Sequence, residues 1–449
     1  MGGWIEPGAG HGLLRLPHWD GDRPGRPGQS PEGSSRPGRP GSQPGIRPGR
    51  GNRPGHHRVD AMSVTFAKGF RAAGAAAGIK PSGALDLSVV IAEEPAPAAA
   101  VFTRNGAAAA PVRLSRRHME ISQGTIRGVT LNSGCANAAT GEVGDRAAYD
   151  MAAAVAGALG CEVTEVLVCS TGPIGPQLPM NKILPAMQLL VARAAPSPSA
   201  GRQAAAGLMT TDTFIKEAAV SGLGGFRVGG MAKGAAMIRP SMATMLAVVT
   251  TDAVSSVQRL KGVLSKAVED TFNTINIDGC ESTNDTVILM ASGRSGIEPS
   301  PEELTKGVRT VCAQLARDIV VDAEDCTRVV TIRVSGAADD GSARRMGMAI
   351  ADSDLVRCSF YGGDPNWGRL VAALGACGEP LDASRIDITY QGTAVARGGI
   401  HTGVDLSAVE PLLAGDFAVD VAVGDGPGTA RILTSDLTPG YVTFNAEPS

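Results

Sequence analysis

The feature that most limits what this chain can fold into is a break in composition at Met62. Before it, residues 1–61 hold 15 Gly, 10 Pro and 9 Arg with no Lys, and Arg-Pro-Gly recurs six times between residues 23 and 55. Such a segment buries too little apolar surface to offset its ordering entropy, so disorder is expected there. It reads as a tail of no specific function, or as upstream of a true start at Met62; a basic tether for nucleic acid or membrane is the less economical reading. The fold must therefore come from residues 62–449. The tail carries +4 and the whole chain −3, so the remainder is acidic at −7, which argues against a nucleic-acid binder.

From residue 62 onward, alanine-rich amphipathic stretches alternate with short Val/Ile/Leu runs, the pattern of a mixed α/β chain. Helices are expected at 145–159, 256–270 and 301–317. The last is opened by Ser300-Pro301-Glu302-Glu303, a capping serine followed by early acids. Strands are expected at 163–169, 286–290 and 329–334. No run of 18 apolar residues occurs, and Leu13-Leu14-Arg15-Leu16 is too short and broken for a signal peptide. The eight cysteines are scattered without a CxxC pair, so plain thiols in a reducing cytoplasm are expected, not zinc or disulfides.

Only two of the six histidines, His118 and His401, lie beyond the tail. His118 follows Arg116-Arg117 in what reads as a solvated helix, and His401 sits in a glycine-rich turn. Neither adjoins a G-x-S-x-G elbow, and no H-E-x-x-H, Walker loop or dinucleotide fingerprint is present. An enzyme built on this chain needs a base other than histidine. Residues 233–251 supply a candidate: a glycine-rich approach passes through Pro240 into an apolar strand beginning near Thr244. The plain reading is a loop entering a core strand. The chemical reading is a bond broken between Ala243 and Thr244, which frees an α-amino group to act as base for the threonine hydroxyl. Its reference pKa, near 8, suits that task.

Lys-Gly-x-x-Met-Ile-x-Pro-x-Met-Ala-Thr-Met-Leu at 233–246 resembles the self-cleavage motif of the ornithine acetyltransferase (bifunctional glutamate N-acetyltransferase) family of arginine biosynthesis. Further ordered blocks are similar to that family: Lys68–Gly74, Asn132–Ala138, Ser170–Gly175, Met209–Thr213, Asp278-Gly279 with Ser282–Thr286, Gly363–Arg369, and Tyr441-Val442-x-x-Asn445-Ala446. The resemblance covers nearly all of 62–449, and nothing in the tail matches.

The resemblance implies a layered αββα sandwich with two central sheets. It implies two chains, 62–243 and 244–449, cut from one precursor and assembled as a heterotetramer of two copies each. Thr244 would be the nucleophile that carries acetyl from N-acetylornithine to glutamate, and Thr171 with Gly172 the oxyanion hole. Substrate contacts would fall to Thr210, Lys233, Thr244, Glu324 and Asn445, and more weakly to Ser449. Lys233 suits a carboxylate and Glu324 an ammonium, although Glu324 also reads as a solvated acid in the run Asp322-Ala323-Glu324-Asp325. No metal or organic cofactor is implied; acetyl-CoA is a further candidate donor. Departures from the family pattern occur at Ala236, Ser241, Cys280-Glu281, Asp325-Cys326 and the C-terminus. Rival readings are an aminopeptidase or amidase of related fold, a paralogue with another acyl acceptor, and an uncleaved, non-catalytic binding protein. Trp367 reads as structural, Asn132 and Asn137 as loop caps or partners of buried backbone, and Cys135, Cys280 and Cys326 as buried small hydrophobes.

Overall fold

A computed structural model describes residues 63–239 and 245–446. The tail, Ser241, Ala243, Thr244 and Ser449 lie outside the described residues. The chain opens with β1 (Phe70–Ala75), the long β2 (Leu87–Phe102), α1 (Ala110–Ile121), β3 (Thr125–Ser133), α2 (Gly141–Leu159) and β4 (Val166–Thr171). It continues through α3 (Met180–Arg193), α4 (Pro198–Ala206), β5 (Lys216–Ser221), β6 (Arg227–Lys233) and β7 (Leu246–Thr251). Next come α5 (Val257–Glu269), β8 (Ile275–Asn276), β9 (Thr286–Ala291) and α6 (Pro301–Val321).

These strands, with β8 set aside, form an eight-stranded mixed sheet in the order β4-β3-β2-β9-β7-β6-β5, with β1 also paired to β2. A register shift between Ile91 and Ala96 divides β2, so β3 pairs mainly before the shift and β9 after it. The divided strand folds the sheet onto itself, as the alternation of side chains shows. Val90, Ala92, Leu167 and Cys169 share one apolar core with Leu246, Val248, Ile288 and Met290. The alternate residues Val89, Ile91, Val166 and Val168 pack under α2 and α3. On the other side Ala247, Val249, Val287 and Leu289 pack under α5 and α6. The layers run helix, sheet, sheet, helix, the sandwich expected from the sequence.

A second, seven-stranded sheet adds a module beyond those layers. It contains β10 (Val329–Ala337), then, after α7 (Asp340–Asp352), α8 (Asp354–Gly362) and α9 (Trp367–Gly375), the short β11 (Asp387–Tyr390), β12 (Thr393–Arg397) and β13 (Ile400–His401). β14 (Phe417–Ala422) and β15 (Gly428–Ser435) complete it, in the order β13-β12-β11-β14-β10-β15-β8, and α10 (Pro439–Ala446) follows. Its own core includes Ile332, Val334, Ile350, Phe360, Val419 and Ile432.

The expected elements are present with small shifts. The capping box of α6 forms, with Glu303 N donating to Ser300 Oγ at 3.2 Å and Ser300 N to Glu303 Oε2 at 2.9 Å. The 163–169 segment divides into a 3-10 turn at Val163–Glu165 and then β4. Two expectations are corrected. His118 is not solvated: α1 presses it onto β4, it is 3% exposed, and its Nδ1 lies 2.7 Å from the Val166 carbonyl oxygen. Cys280 is exposed, in a loop held by Asp278, whereas Cys135 and Cys326 are buried as expected. Among the described residues no helix is long and apolar enough to cross a membrane.

Candidate active site

The parallel strands β3 and β4 end together, Ser133 opposite Thr171. Gly172 then turns the chain at φ 139°, and a Cβ there would meet Cys135 N at 2.4 Å, so only glycine fits. Cys135 N donates to the Thr171 carbonyl at 3.0 Å and fixes that turn. Asn132 and Asn137 satisfy buried backbone beside it, donating to the carbonyls of Cys135 and Gly144, each at 2.9 Å. Thr171, Gly172 and Ile174 form one wall of a pocket of about 460 Å³.

More of the lining comes from the end of β6. Lys233 is 3% exposed, and its Nζ donates to Thr171 Oγ1 at 3.3 Å. Burial pushes its pKa down, opposed mainly by Asp212, with Asp285 and Glu324 adding to the opposition. Thr210, in the loop before β5, also lines the pocket and donates its N–H to Asp212 Oδ2 at 2.9 Å. Burial raises the pKa of Asp212, but Lys233 and Lys216 outweigh it and hold the carboxyl well below the usual carboxylate range. Glu324 and Asn445 also line the pocket, Asn445 Nδ2 donating to Glu324 Oε2 at 2.9 Å. Helix α10 reaches this position because Gly440 passes against the Asp325 carboxylate, where a Cβ would lie 1.8 Å from Oδ2. Thr438 Oγ1 donates to that same oxygen at 2.7 Å. The departure at Asp325 thus anchors the helix that carries Asn445.

Thr171, Gly172, Thr210, Lys233, Glu324 and Asn445 all line this one pocket. Ala243, Thr244 and Ser449 cannot be placed on it, being outside the described residues. The residues next to 240–244 are firmly held. Ile238 N donates to Asp278 Oδ1 at 2.9 Å, and Met245 N donates to Asp285 Oδ1 at 2.9 Å. Lys233 stands opposite Leu246 in the β6–β7 ladder, so β7 begins beside the pocket's lysine. Asp285 is fully buried, and burial pushes its carboxyl well above the usual range.

Sequence reasoning missed several residues here. Lys80 and Asn284 line the pocket, Asn284 Nδ2 donating to the carbonyls of Ala136 at 2.6 Å and Ser170 at 2.9 Å. Asp322, read as part of a solvated acidic run, is 3% exposed and ion-paired to Lys216. Position in a family-like block was the available signal for Asn284; nothing marked Lys216. Trp367 and His401 stack at 6.3 Å between ring centroids in the seven-stranded module and do not line the pocket.

A layered α/β sandwich whose strand ends gather a threonine, a glycine turn, a buried lysine and a carboxylate in one pocket has the parts of an acyl-transfer enzyme. A sequence model of the ArgJ family matches residues 71–448, and the chain belongs to that family. It is 43% identical over 392 residues to the arginine biosynthesis bifunctional protein ArgJ of Bifidobacterium longum, covering 86% of this chain and 99% of that one. It is 47% identical over 395 residues to the protein of the same name from Mycolicibacterium paratuberculosis, covering 86% and 96%. Among solved structures, an ornithine acetyltransferase from Mycobacterium tuberculosis complexed with ornithine is 45% identical, covers 40% of this chain and 96% of that one, and has a TM-score of 0.39. Membership makes this chain an autoprocessed acetyltransferase of arginine biosynthesis.

Proposed function

We propose that the enzyme moves an acetyl group from N-acetylornithine to glutamate through an acetyl ester on Thr244. The observation that carries this reading is convergence: six residues from five separate parts of the sequence line one pocket, beside the start of β7. In maturation, the Thr244 hydroxyl attacks the Ala243 carbonyl carbon and the peptide bond shifts from nitrogen to oxygen. Water then hydrolyses the ester, leaving an Ala243 carboxylate and a free Thr244 α-amine. That amine takes the hydroxyl proton in each later acyl transfer. Attack on the acetyl carbonyl of N-acetylornithine expels ornithine; attack by the glutamate amine on the ester regenerates the hydroxyl.

The Thr171 hydroxyl and the Gly172 N–H serve the tetrahedral oxyanion, where each such donor is worth roughly 3–4 kcal/mol. Lys233 pairs with the substrate α-carboxylate and Glu324 with the side-chain ammonium of ornithine, while Thr210 and Asn445 orient the ends. Ser449 is a weaker candidate for the terminal contact. The chemistry calls for no metal or organic cofactor. The word bifunctional in the relatives' names supports acetyl-CoA as a second donor, a thioester that would acylate the same hydroxyl. The reading includes chains 62–243 and 244–449, a heterotetramer and a cytoplasmic setting.

Denaturing mass spectrometry of the recombinant protein tests it. Two fragments are expected, the second beginning at Thr244, and Thr244→Ala is expected to block both cleavage and acetyl transfer. Normal cleavage or normal transfer in that variant would overturn the assignment.

A further inference from the structure

The pocket draws its lining from distant parts of the chain, Thr210 and Lys233 before β7 and Glu324 after α6. Behind them, away from the pocket surface, three buried charges join the segments. Lys216, the first residue of β5, has a fully buried side chain and donates Nζ to Asp212 Oδ1 and to Asp322 Oδ2, both at 2.6 Å. Asp212 also accepts from the N–H of Thr210 at 2.9 Å and of Gly234 at 2.8 Å, the residue after Lys233. Asp322 caps the C-terminal end of α6, two residues before Glu324, and accepts the N–H of Thr213 at 2.9 Å together with its hydroxyl. Glu324 N in turn donates to the Ala235 carbonyl at 3.1 Å.

Desolvating two carboxylates and an ammonium costs several kcal/mol per ion, and an apolar contact of the same volume would commonly hold two segments together as well. What the ions add is a single geometry. An apolar contact slides with little penalty, whereas one ammonium clamped between two carboxylates, each also held by a backbone N–H, has one low-energy spacing. Burial also keeps the clamp from being screened by salt.

We propose that Asp212, Lys216 and Asp322 are positioning residues that fix the distance between the carboxylate-binding and ammonium-binding ends of the pocket, and so the length of amino-acid side chain it accepts. This inference rests on the roles given above to Lys233 and Glu324, and it deepens that reading by naming what selects the substrate. None of the three touches substrate. Each acts through a neighbour: Asp212 through Thr210 and Lys233, Asp322 through Glu324, and Lys216 by tying the two.

The test is Asp322→Asn, which keeps the side-chain volume, leaves the Lys216–Asp212 pair balanced and weakens the link to α6. Acetyl transfer to glutamate is measured from N2-acetylornithine and from N2-acetyl-lysine, one methylene longer, in wild type and variant. One methylene is worth roughly 10- to 200-fold in a fitted pocket, and the preference for the ornithine donor is expected to fall about tenfold, with cleavage into two chains retained. An unchanged preference overturns the proposal, whether both rates fall together or neither does, because a purely structural role lowers both alike. Should Asp322→Asn fail to fold, Lys216→Arg keeps the charge and lengthens the bridge, and the same ratio decides. A cleaved wild type inactive with both donors overturns the substrate reading, and this inference with it.

Discussion

The sandwich and the seven-stranded module each bury apolar cores of their own but treat charge in opposite ways. The sandwich encloses Asp86, Asp212, Lys216, Lys233, Asp252, Asp285 and Asp322, each 8% exposed or less. The module, among its described residues, buries Arg357 and Asp436. Its ion pairs, such as Arg333–Asp420 and Arg397–Asp387, stand at the surface. Buried charge is costly and persists where geometry or chemistry demands it; here Lys233 lines the pocket and Asp212, Lys216 and Asp322 stand behind its lining residues, whereas Asp252 accepts the N–H of Arg227 at the opposite end of β6. The sandwich thus holds most of the buried charge, and the module is stabilised mainly by apolar packing. Three changes would sharpen or break that contrast.

The largest expected effect lies in the module's core. Ile332 is fully exposed to neither face of solvent: it sits in β10 at 0% exposure within the second core. Ile332→Ala should cost about 2–5 kcal/mol by lost burial and the cavity left behind. It should leave kcat/KM for acetyl transfer unchanged below the melting transition. A denaturant melt paired with the transfer assay checks both halves. A loss of activity in the folded variant would break the contrast, since it would make the module's apolar core, and not only the helix α10 that carries Asn445, part of the catalytic apparatus.

An intermediate effect is expected at Asp285, where the sandwich keeps a carboxyl against Met245, the residue before β7. Burial raises its folded pKa above the unfolded value. As pH rises past about 4, the unfolded chain releases this proton while the folded protein retains it, so this group's contribution to stability falls. Asp285→Asn preserves an oxygen for the Met245 N–H. It should therefore gain on wild type as pH rises from 4 toward 7, by at most about 1.4 kcal/mol per unit. Thermal melts across that range read the difference; a constant gap would mean that Asp285 ionises normally.

How much of this was legible in the sequence follows the range of the interactions. Helix α6 was visible because its capping box, its apolar spacing and its proline all act within a few residues. The pocket residues were visible because motif-like blocks carry them. The clamp behind the pocket was not, since Lys216 and Asp322 are 106 residues apart and local charge pattern reads Asp322 as solvated. His118 misled for the same reason: Arg117 faces water and Arg116 turns to the Thr103 carbonyl and the Phe102 ring, while the histidine turns inward to β4. The long β2 was missed because Pro95 and Pro97 argue against a strand; Pro95 falls within the register shift and Pro97 at the edge of the resumed β3 pairing. The module's strands β11 to β13 span two to five residues, too few for a period to show.

The smallest effect is expected one residue along from Ile332, on the opposite face of the same strand. Arg333 pairs with Asp420 at 2.9 Å, with side chains 55% and 43% exposed. It also stands directly opposite Arg431 across the β10–β15 ladder. Arg333→Ala removes an exposed ion pair worth about 0.2–1 kcal/mol and at the same time relieves a like-charge cross-strand contact of similar size. The two changes oppose one another, so the net shift in stability should stay within about 0.5 kcal/mol of zero, and added salt should shrink it further. Asp420→Ala removes the attraction alone and should destabilise more than Arg333→Ala does. If Arg333→Ala instead costs more than about 2 kcal/mol, the arginine is not solvated in the working protein. This face of the module would then be covered by another chain, and the division between a charged sandwich and an apolar module would hold for the single chain but not for the assembly.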